Sequence, residues 1–271
     1  MKVFISADIE GVNGVMGETH WSSQGSAYDH ARAWMAEEVN AAVRGACAGG
    51  ASEIVVKDSH GPGTNILAHQ LDPRAQLISG WGPLHSMVEG VDESFGAAFL
   101  VGYHAKVGTE RGVLSHTIGS TVRGLRLNGE AIGETALSAL YCGHHGVPVV
   151  LVTGDDELAA EAQHFLPGVA TAVVKWGLNR GSARMLPLAQ GRARIEEAAA
   201  EATARAGSIE PFRPSLPLGL ELDVPSAAAA ALCALVPGVE RTADCTVACS
   251  CGDAVEYVRM FRVLLNLAST A

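Results

Sequence analysis

The sequence predicts an α/β protein: a largely parallel open sheet with helices on both faces, followed by a smaller α+β region. Three observations lead there. From residue 1 to about residue 184, short apolar runs alternate with segments of helical period, the pattern of a parallel sheet with crossover helices. Several of the apolar runs pass directly into acids and histidines flanked by Gly or Ser. The style then changes at Pro187, after which an Ala/Glu/Arg-rich helix and a proline-rich linker lead into a strand–helix–strand–helix run. The expected division is 1–186 and 187–271.

Taken in order, residues 2–5 are a strand and residues 11–26 a Gly/Ser-rich loop. A helix over 28–48 has Ala31, Met35, Val39, Ala42 and Ala46 at helical spacing, and Gly49-Gly50 stops it. Residues 53–57 are a β-branched strand running into Asp58-Ser59-His60-Gly61, and residues 65–69 suggest a helical turn. Strands follow at 76–79 and 97–104. Asn128-Gly129, a two-residue turn signal, makes 122–132 a hairpin. A helix from Glu134 to about 144, a buried strand over 148–152, a helix through His164 and a strand over 169–175 complete the first part. The second reads as a helix over 192–206, an extended linker over 210–217, a strand over 218–222, a helix over 226–235, a strand over 242–250 and a terminal helix over 253–267.

The 271 residues carry a net charge of −10 and no basic cluster, which argues against nucleic acid or an anionic membrane as partner. With 48% hydrophobic and 18% charged residues the chain is globular. No apolar run is long enough to span a bilayer. The start of the chain, one Lys and an apolar run broken at Asp8, reads as no signal peptide, so a cytoplasmic protein is expected. Six cysteines without paired metal-ligand spacing read as reduced thiols: Cys47, Cys142 and Cys233 in helices, and Cys245, Cys249 and Cys251 as residues that could share one strand face.

The chemistry-bearing stretch is Ser6-Ala7-Asp8-Ile9-Glu10-Gly11. In an extended chain Asp8 and Glu10 would share a face, and two carboxylates side by side repel unless a cation lies between them. An isolated pair of this kind is ordinarily a solvated loop. Other strand ends argue against that, because Asp58 and His60 follow one strand and His104 ends another, and sites in open parallel sheets form beyond the carboxyl ends of strands. Glu134, opening a helix, can join them. Carboxylates and imidazoles in this mixture suit zinc or another borderline divalent ion. Asp8, Glu10, His60, His104 and Glu134 exceed what one tetrahedral zinc needs and suit a pair of metals, with Asp8 the natural bridge. His116 is expected near a strand end at the same edge, either as a proton shuttle or oxyanion partner, or as a structural histidine bonded to backbone. His144-His145 reads as structural at a helix C-terminus, and His20, His30, His69, His85 and His164 show no partner spacing. Phosphate-loop, H-E-x-x-H, nucleophile-elbow and dinucleotide-binding patterns are absent.

In fixed order, S-x-D-x-E-G at residues 6–11, D-S-H at 58–60, G-Y-H-A at 102–105, S-H at 115–116 and G-E at 133–134 resemble the M55 peptidases. Supporting stretches lie at 78–80, 87–90, 152–156 and 174–175, and the resemblance loosens beyond about residue 187. It implies a zinc-dependent D-aminopeptidase with two zinc ions per subunit, held by Asp8, Glu10, His60, His104 and Glu134 with Asp8 bridging. His116 matches the residue described in the family as nucleophile. A metal-bound hydroxide is the stronger nucleophile at neutral pH, so His116 is expected to act as acid/base or to stabilise the tetrahedral intermediate. Short peptides with an N-terminal D-residue, of the D-Ala-D-Ala type, are the implied substrates, with Glu89 or Asp155 as candidate holders of the substrate ammonium. The resemblance also implies a homo-oligomer, a decamer of two stacked rings, with assembly contacts expected in the C-terminal part. The ligand set does not encode chirality, so hydrolysis of L-peptides or another amide is an alternative. A non-catalytic oligomeric peptide- or metal-binding accessory protein is another.

Overall fold

The protein is described from a computed structural model, over residues 1–22, 25–82, 84 and 86–271; His85 lies outside the described residues. In chain order the elements are β1 (Lys2–Ala7), α1 (Glu18–Trp21), α2 (Ser26–Ala48), β2 (Glu53–Asp58), β3 (Ala75–Ile78), β4 (Ala97–Val101), β5 (Gly124–Leu127), β6 (Glu130–Ala131), α3 (Glu134–His144), β7 (Val149–Asp155), α4 (Asp156–Phe165), β8 (Ala170–Asn179), β9 (Ser182–Met185), α5 (Leu188–Arg205), β10 (Leu218–Asp223), α6 (Ala227–Cys233), β11 (Glu240–Ala243), β12 (Thr246–Cys251) and α7 (Ala254–Ala268).

The first sheet has the order β3-β2-β1-β4-β7-β8-β9, with every pairing parallel except β8–β9. Its inner strands are apolar on both faces because helices cover both. Val3, Ile5 and Ala7 pack with Met35 and Val39 of α2 and with Ile195 and Ala199 of α5. Phe4 and Leu100, on the opposite face, pack with Ala136 and Leu140 of α3 and with Phe261 of α7. From β1 the chain builds outward to β2 and β3, then returns to place β4 on the other side of β1. The strand order therefore reverses between β1 and β4, where an open sheet leaves a crevice at its carboxyl edge.

The second sheet is antiparallel, in the order β11-β12-β10-β5-β6. Strands from both sides of residue 187 build it, while α5, just after that residue, packs on α2 against the first sheet. The hairpin at Asn128-Gly129 forms with both residues at positive φ, as its tight turn requires, but it serves the second sheet. The expected strand over 242–250 is two strands that turn at Asp244 and Cys245, so only Cys249 and Cys251 share a strand. α1 and β9 carry no sequence periodicity because each is four residues long. No helix among the described residues is long and apolar enough to cross a membrane.

Candidate metal centre

Asp8, Glu10, His60, His104, His116 and Glu134 line one cavity of about 680 Å³ at the carboxyl edge of the first sheet. Asp8 and Glu10 follow β1, His60 follows β2 and His104 follows β4, so the reversal of strand order brings them together. Glu134 is the first residue of α3. Asp8 and Glu10 do not converge by strand alternation as expected: β1 ends at Ala7, and a turn closed by Val12 N to Ile9 O swings Glu10 round. Two glycines permit the close meeting of the β1 and β4 loops. A Cβ on Gly11 would lie 1.7 Å from the Tyr103 carbonyl oxygen, and one on Gly102, at φ +71°, 2.3 Å from that of Asp8. Below the cavity, Ser6 bonds Ser59 (2.9 Å) and the Tyr103 hydroxyl (2.7 Å), so one hydroxyl ties together the segments following β2 and β4.

Each of the three imidazoles gives one ring N–H to a backbone carbonyl. His60 donates from Nε2 to Trp21 (3.1 Å), His104 from Nδ1 to Ala105 (3.0 Å) and His116 from Nδ1 to Leu114 (2.8 Å). These bonds fix the tautomers and turn the other nitrogens to the carboxylates. His60 Nδ1 lies 3.2 Å from Asp8 Oδ1 and 3.0 Å from Glu10 Oε2. His104 Nε2 lies 3.5 Å from Asp8 Oδ2 and 3.3 Å from Glu134 Oε2. The Asp8 carboxylate thus divides its two oxygens between two histidines. Ligand atoms of Asp8, Glu10 and His104 lie within 4.8 Å of one another, and so do those of His104, His116 and Glu134. His116 stacks on His104 with ring centroids 4.0 Å apart, and its Nε2 is 3.9 Å from both Glu10 Oε1 and Glu134 Oε1.

Three carboxylates at 2–4% exposure cannot all be ionised without compensation. Burial first, and then Glu10, push the Asp8 carboxyl up to about 8. Burial acts the same way on Glu10 and Glu134, but the neighbouring imidazoles outweigh it, His60 chiefly for Glu10 and His104 for Glu134, and hold both below their ordinary values. Burial opposes charge on His60 and His104, yet the carboxylates hold both imidazoles well above normal. His116 goes the other way: burial, and then His104, lower it. Asp8 Oδ2, Glu10 Oε2 and His104 Nε2 are buried without a hydrogen-bond partner. Orphaned acceptors of this kind fit divalent cations, as does the mixed O/N donor set.

His116 sits on a loop and not at a strand end as expected. The loop is held by Asp155, which accepts the Val113 N–H (2.6 Å) as well as capping α4 at Leu158 N. Leu114 and Ile118 take positive φ values of 54° and 62°, unusual for L-residues and most of all for a β-branched one. The conformation at Ile118 places its amide on Glu134 Oε1 at 2.5 Å. Asp155 and Glu89 do not line the cavity; Asp155 is occupied by backbone amides and Glu89 Oε2 accepts the Gly82 N–H, so neither faces a substrate ammonium. Asp58 also stays out of the cluster and accepts the amides of Asn65 (2.5 Å) and Ile66 (2.7 Å) to shape the His60 loop. His20, His30, His69, His144, His145 and His164 do not line the cavity.

Two buried lysines close apolar strands in the sequence, and of the two only Lys175 falls in a stretch that supports the family resemblance. Lys175 Nζ donates to the carbonyls of Glu10 (2.6 Å), Val12 (3.0 Å) and Val15 (2.8 Å), holding the loop that carries Glu10. Lys57 Nζ donates to Asp58 O and Gly80 O and lies over the Trp81 ring, 4.1 Å from its centroid.

The sequence profile of Peptidase_M55, described as D-aminopeptidase, matches residues 1–263. A D-aminopeptidase of Bacillus subtilis (strain 168) is 35% identical over 269 residues, covering 99% of this chain and 98% of that one. The solved structure of the Zn-dependent D-aminopeptidase DppA from Bacillus subtilis, described as a self-compartmentalizing protease, superposes with a TM-score of 0.96 at 34% identity, covering 100% of this chain and 99% of that one.

Proposed function

The chain belongs to the M55 peptidase family, the D-aminopeptidases, and on that premise we propose that it is a di-zinc aminopeptidase removing an N-terminal D-residue from short peptides of the D-Ala-D-Ala type. The observation that supports the reading best is the orientation of the imidazoles, each tied by one nitrogen to a backbone carbonyl and presenting the other to buried carboxylates, of which Asp8 Oδ2 and Glu10 Oε2 lack a hydrogen-bond partner.

In this reading Asp8, Glu10, His60, His104 and Glu134 would hold two zinc ions, and Asp8 would serve both, since its oxygens face His60 and His104 separately. When bound, zinc supplies Lewis acidity toward a scissile carbonyl and acidifies water at neutral pH. The chain's own residues orient and move protons. Carbonyls of Trp21, Ala105 and Leu114 keep the three rings in place. His116, with its lowered pKa, is neutral at pH 7, so Nε2 can accept a proton at the cavity wall and return it to the leaving amine. The Ile118 amide restrains Glu134.

The description of the Bacillus structure as self-compartmentalizing supports a homo-oligomer, proposed here as a decamer in which residues 1–186 carry the metal centre and residues 187–271 contribute to assembly. Six unpaired thiols support a cytoplasmic location. The reading is tested by assaying zinc-loaded protein on matched D-Ala and L-Ala dipeptides. Turnover of the D-peptide should exceed that of the L-peptide by about 100-fold, since inverted chirality displaces the scissile carbonyl. Equal turnover, or preference for L, overturns the substrate; absence of turnover with two zinc ions bound overturns the enzyme.

A further inference from the structure

Besides imidazoles, the cavity lining carries two cationic side chains, and they differ in what they do. Arg180 is engaged: its Nε donates to the Ser115 carbonyl at 3.2 Å, next to His116. Arg262 takes part in no hydrogen bond or ion pair among the described residues. It lies on α7, which packs on α3, the helix opened by Glu134. Its neighbours Val258, Phe261 and Leu265 are buried, so its base is set in the core, and the residue itself lines the cavity. Burial lowers its pKa, and the acid opposing that effect, Glu89, is outside the cavity lining and bonded to Gly82. A guanidinium stripped of part of its water and given no acceptor is costly unless a ligand supplies one.

We infer that Arg262 binds the free C-terminal carboxylate of the peptide substrate and thereby selects short peptides with an unblocked C-terminus. The inference rests on the aminopeptidase reading above. A short peptide has two charged ends, and both must be matched inside a cavity whose acidic wall is Asp8, Glu10 and Glu134 and whose second cation, Arg180, is tied to the Ser115 carbonyl beside His116. A carboxylate is repelled by those acids and attracted to Arg262, whose planar fork suits a bidentate pair. The charge pattern therefore fixes direction, with the C-terminus toward α7 and the N-terminal residue toward the carboxylate–imidazole cluster.

The test compares D-Ala-D-Ala with its C-terminal amide, on zinc-loaded parent, Arg262→Gln and Arg262→Lys. Binding of reduced-bond analogues of both peptides, measured by calorimetry, reads the same preference without turnover. The parent should favour the acid, with a KM about 10- to 100-fold lower than for the amide, the usual worth of a charge-assisted pair. Arg262→Gln should lose that preference through KM, with kcat and amide binding retained, and Arg262→Lys should recover part of it. A parent that does not discriminate, an Arg262→Gln variant that keeps the preference, or an equal loss on acid and amide each overturns the inference. If the parent hydrolyses neither peptide, the aminopeptidase reading fails, and the acid-to-amide binding ratio still decides the role of Arg262.

Discussion

Replacing Lys175 by Met keeps the length of the side chain and removes only its head group. Three carbonyls, of Glu10, Val12 and Val15, then lose the donor they share. Lys175 is fully buried, so water cannot take its place without opening the loop. Three charge-assisted bonds contribute about 2 kcal/mol each. Against this, burial of the ammonium outweighs its attraction to Asp155, Glu38, Glu10 and Asp8 and pushes its pKa down to about 8; that net fall from 10.5 corresponds to about 3 kcal/mol, recovered when Met replaces it. The net loss is about 3 kcal/mol. With an unfolding entropy of roughly 2 cal/mol/K per residue, a chain of this size should lose about 5 °C in Tm. The loop also positions Glu10, so zinc affinity should fall about 10- to 100-fold, as when groups supporting metal ligands are removed. Calorimetric unfolding of the metal-free variant and a competitive zinc titration measure the two effects. An unchanged Tm would refute the energetic argument, and unchanged zinc affinity with a lowered Tm would refute the positioning role.

His116→Ala should lower kcat on D-Ala-D-Ala by about 10²- to 10⁴-fold, the usual contribution of a positioned acid/base, with zinc content unchanged; retention of full kcat would remove His116 from the mechanism. Glu38, buried beside the same loop, has its carboxyl pushed up to about 7, by burial first. Its folded pKa lies above its unfolded value near 4.5, so stability is greatest below pH 4.5 and is lost as pH rises through 7. Glu38→Gln should therefore gain on the parent between pH 5 and pH 8, by up to about 3 kcal/mol, in urea unfolding at fixed ionic strength; parallel stability–pH curves would contradict this.

The alternation of strands and helices was legible because strands buried on both faces must be apolar throughout, as β1 and β4 are. The convergence of acids and imidazoles was legible because the crevice lies at the carboxyl ends of those strands, where Asp8, His60 and His104 follow apolar runs. What was not legible depends on contacts remote in sequence. Whether a hairpin at Asn128-Gly129 joins the first or the second sheet is decided by its pairing with β10, some ninety residues later. Asp155 looked like a free acid at a strand end, yet it holds the loop of His116. Lys57 and Lys175 read as strand-terminal charges, although their amines are buried under loops that only the folded chain brings over them. Arg262 sits in an apolar helix far from every motif, and nothing local marks it.

A two-metal centre organised on Asp8 underlies the proposed chemistry. It is tested most directly by the zinc-to-chain ratio after equilibrium dialysis of the parent, Asp8→Ala and Glu10→Ala. The parent should bind two ions per chain, Asp8→Ala should hold none tightly, and Glu10→Ala should weaken mainly one. A parent that binds a single ion, or an Asp8→Ala variant that keeps two, would contradict it.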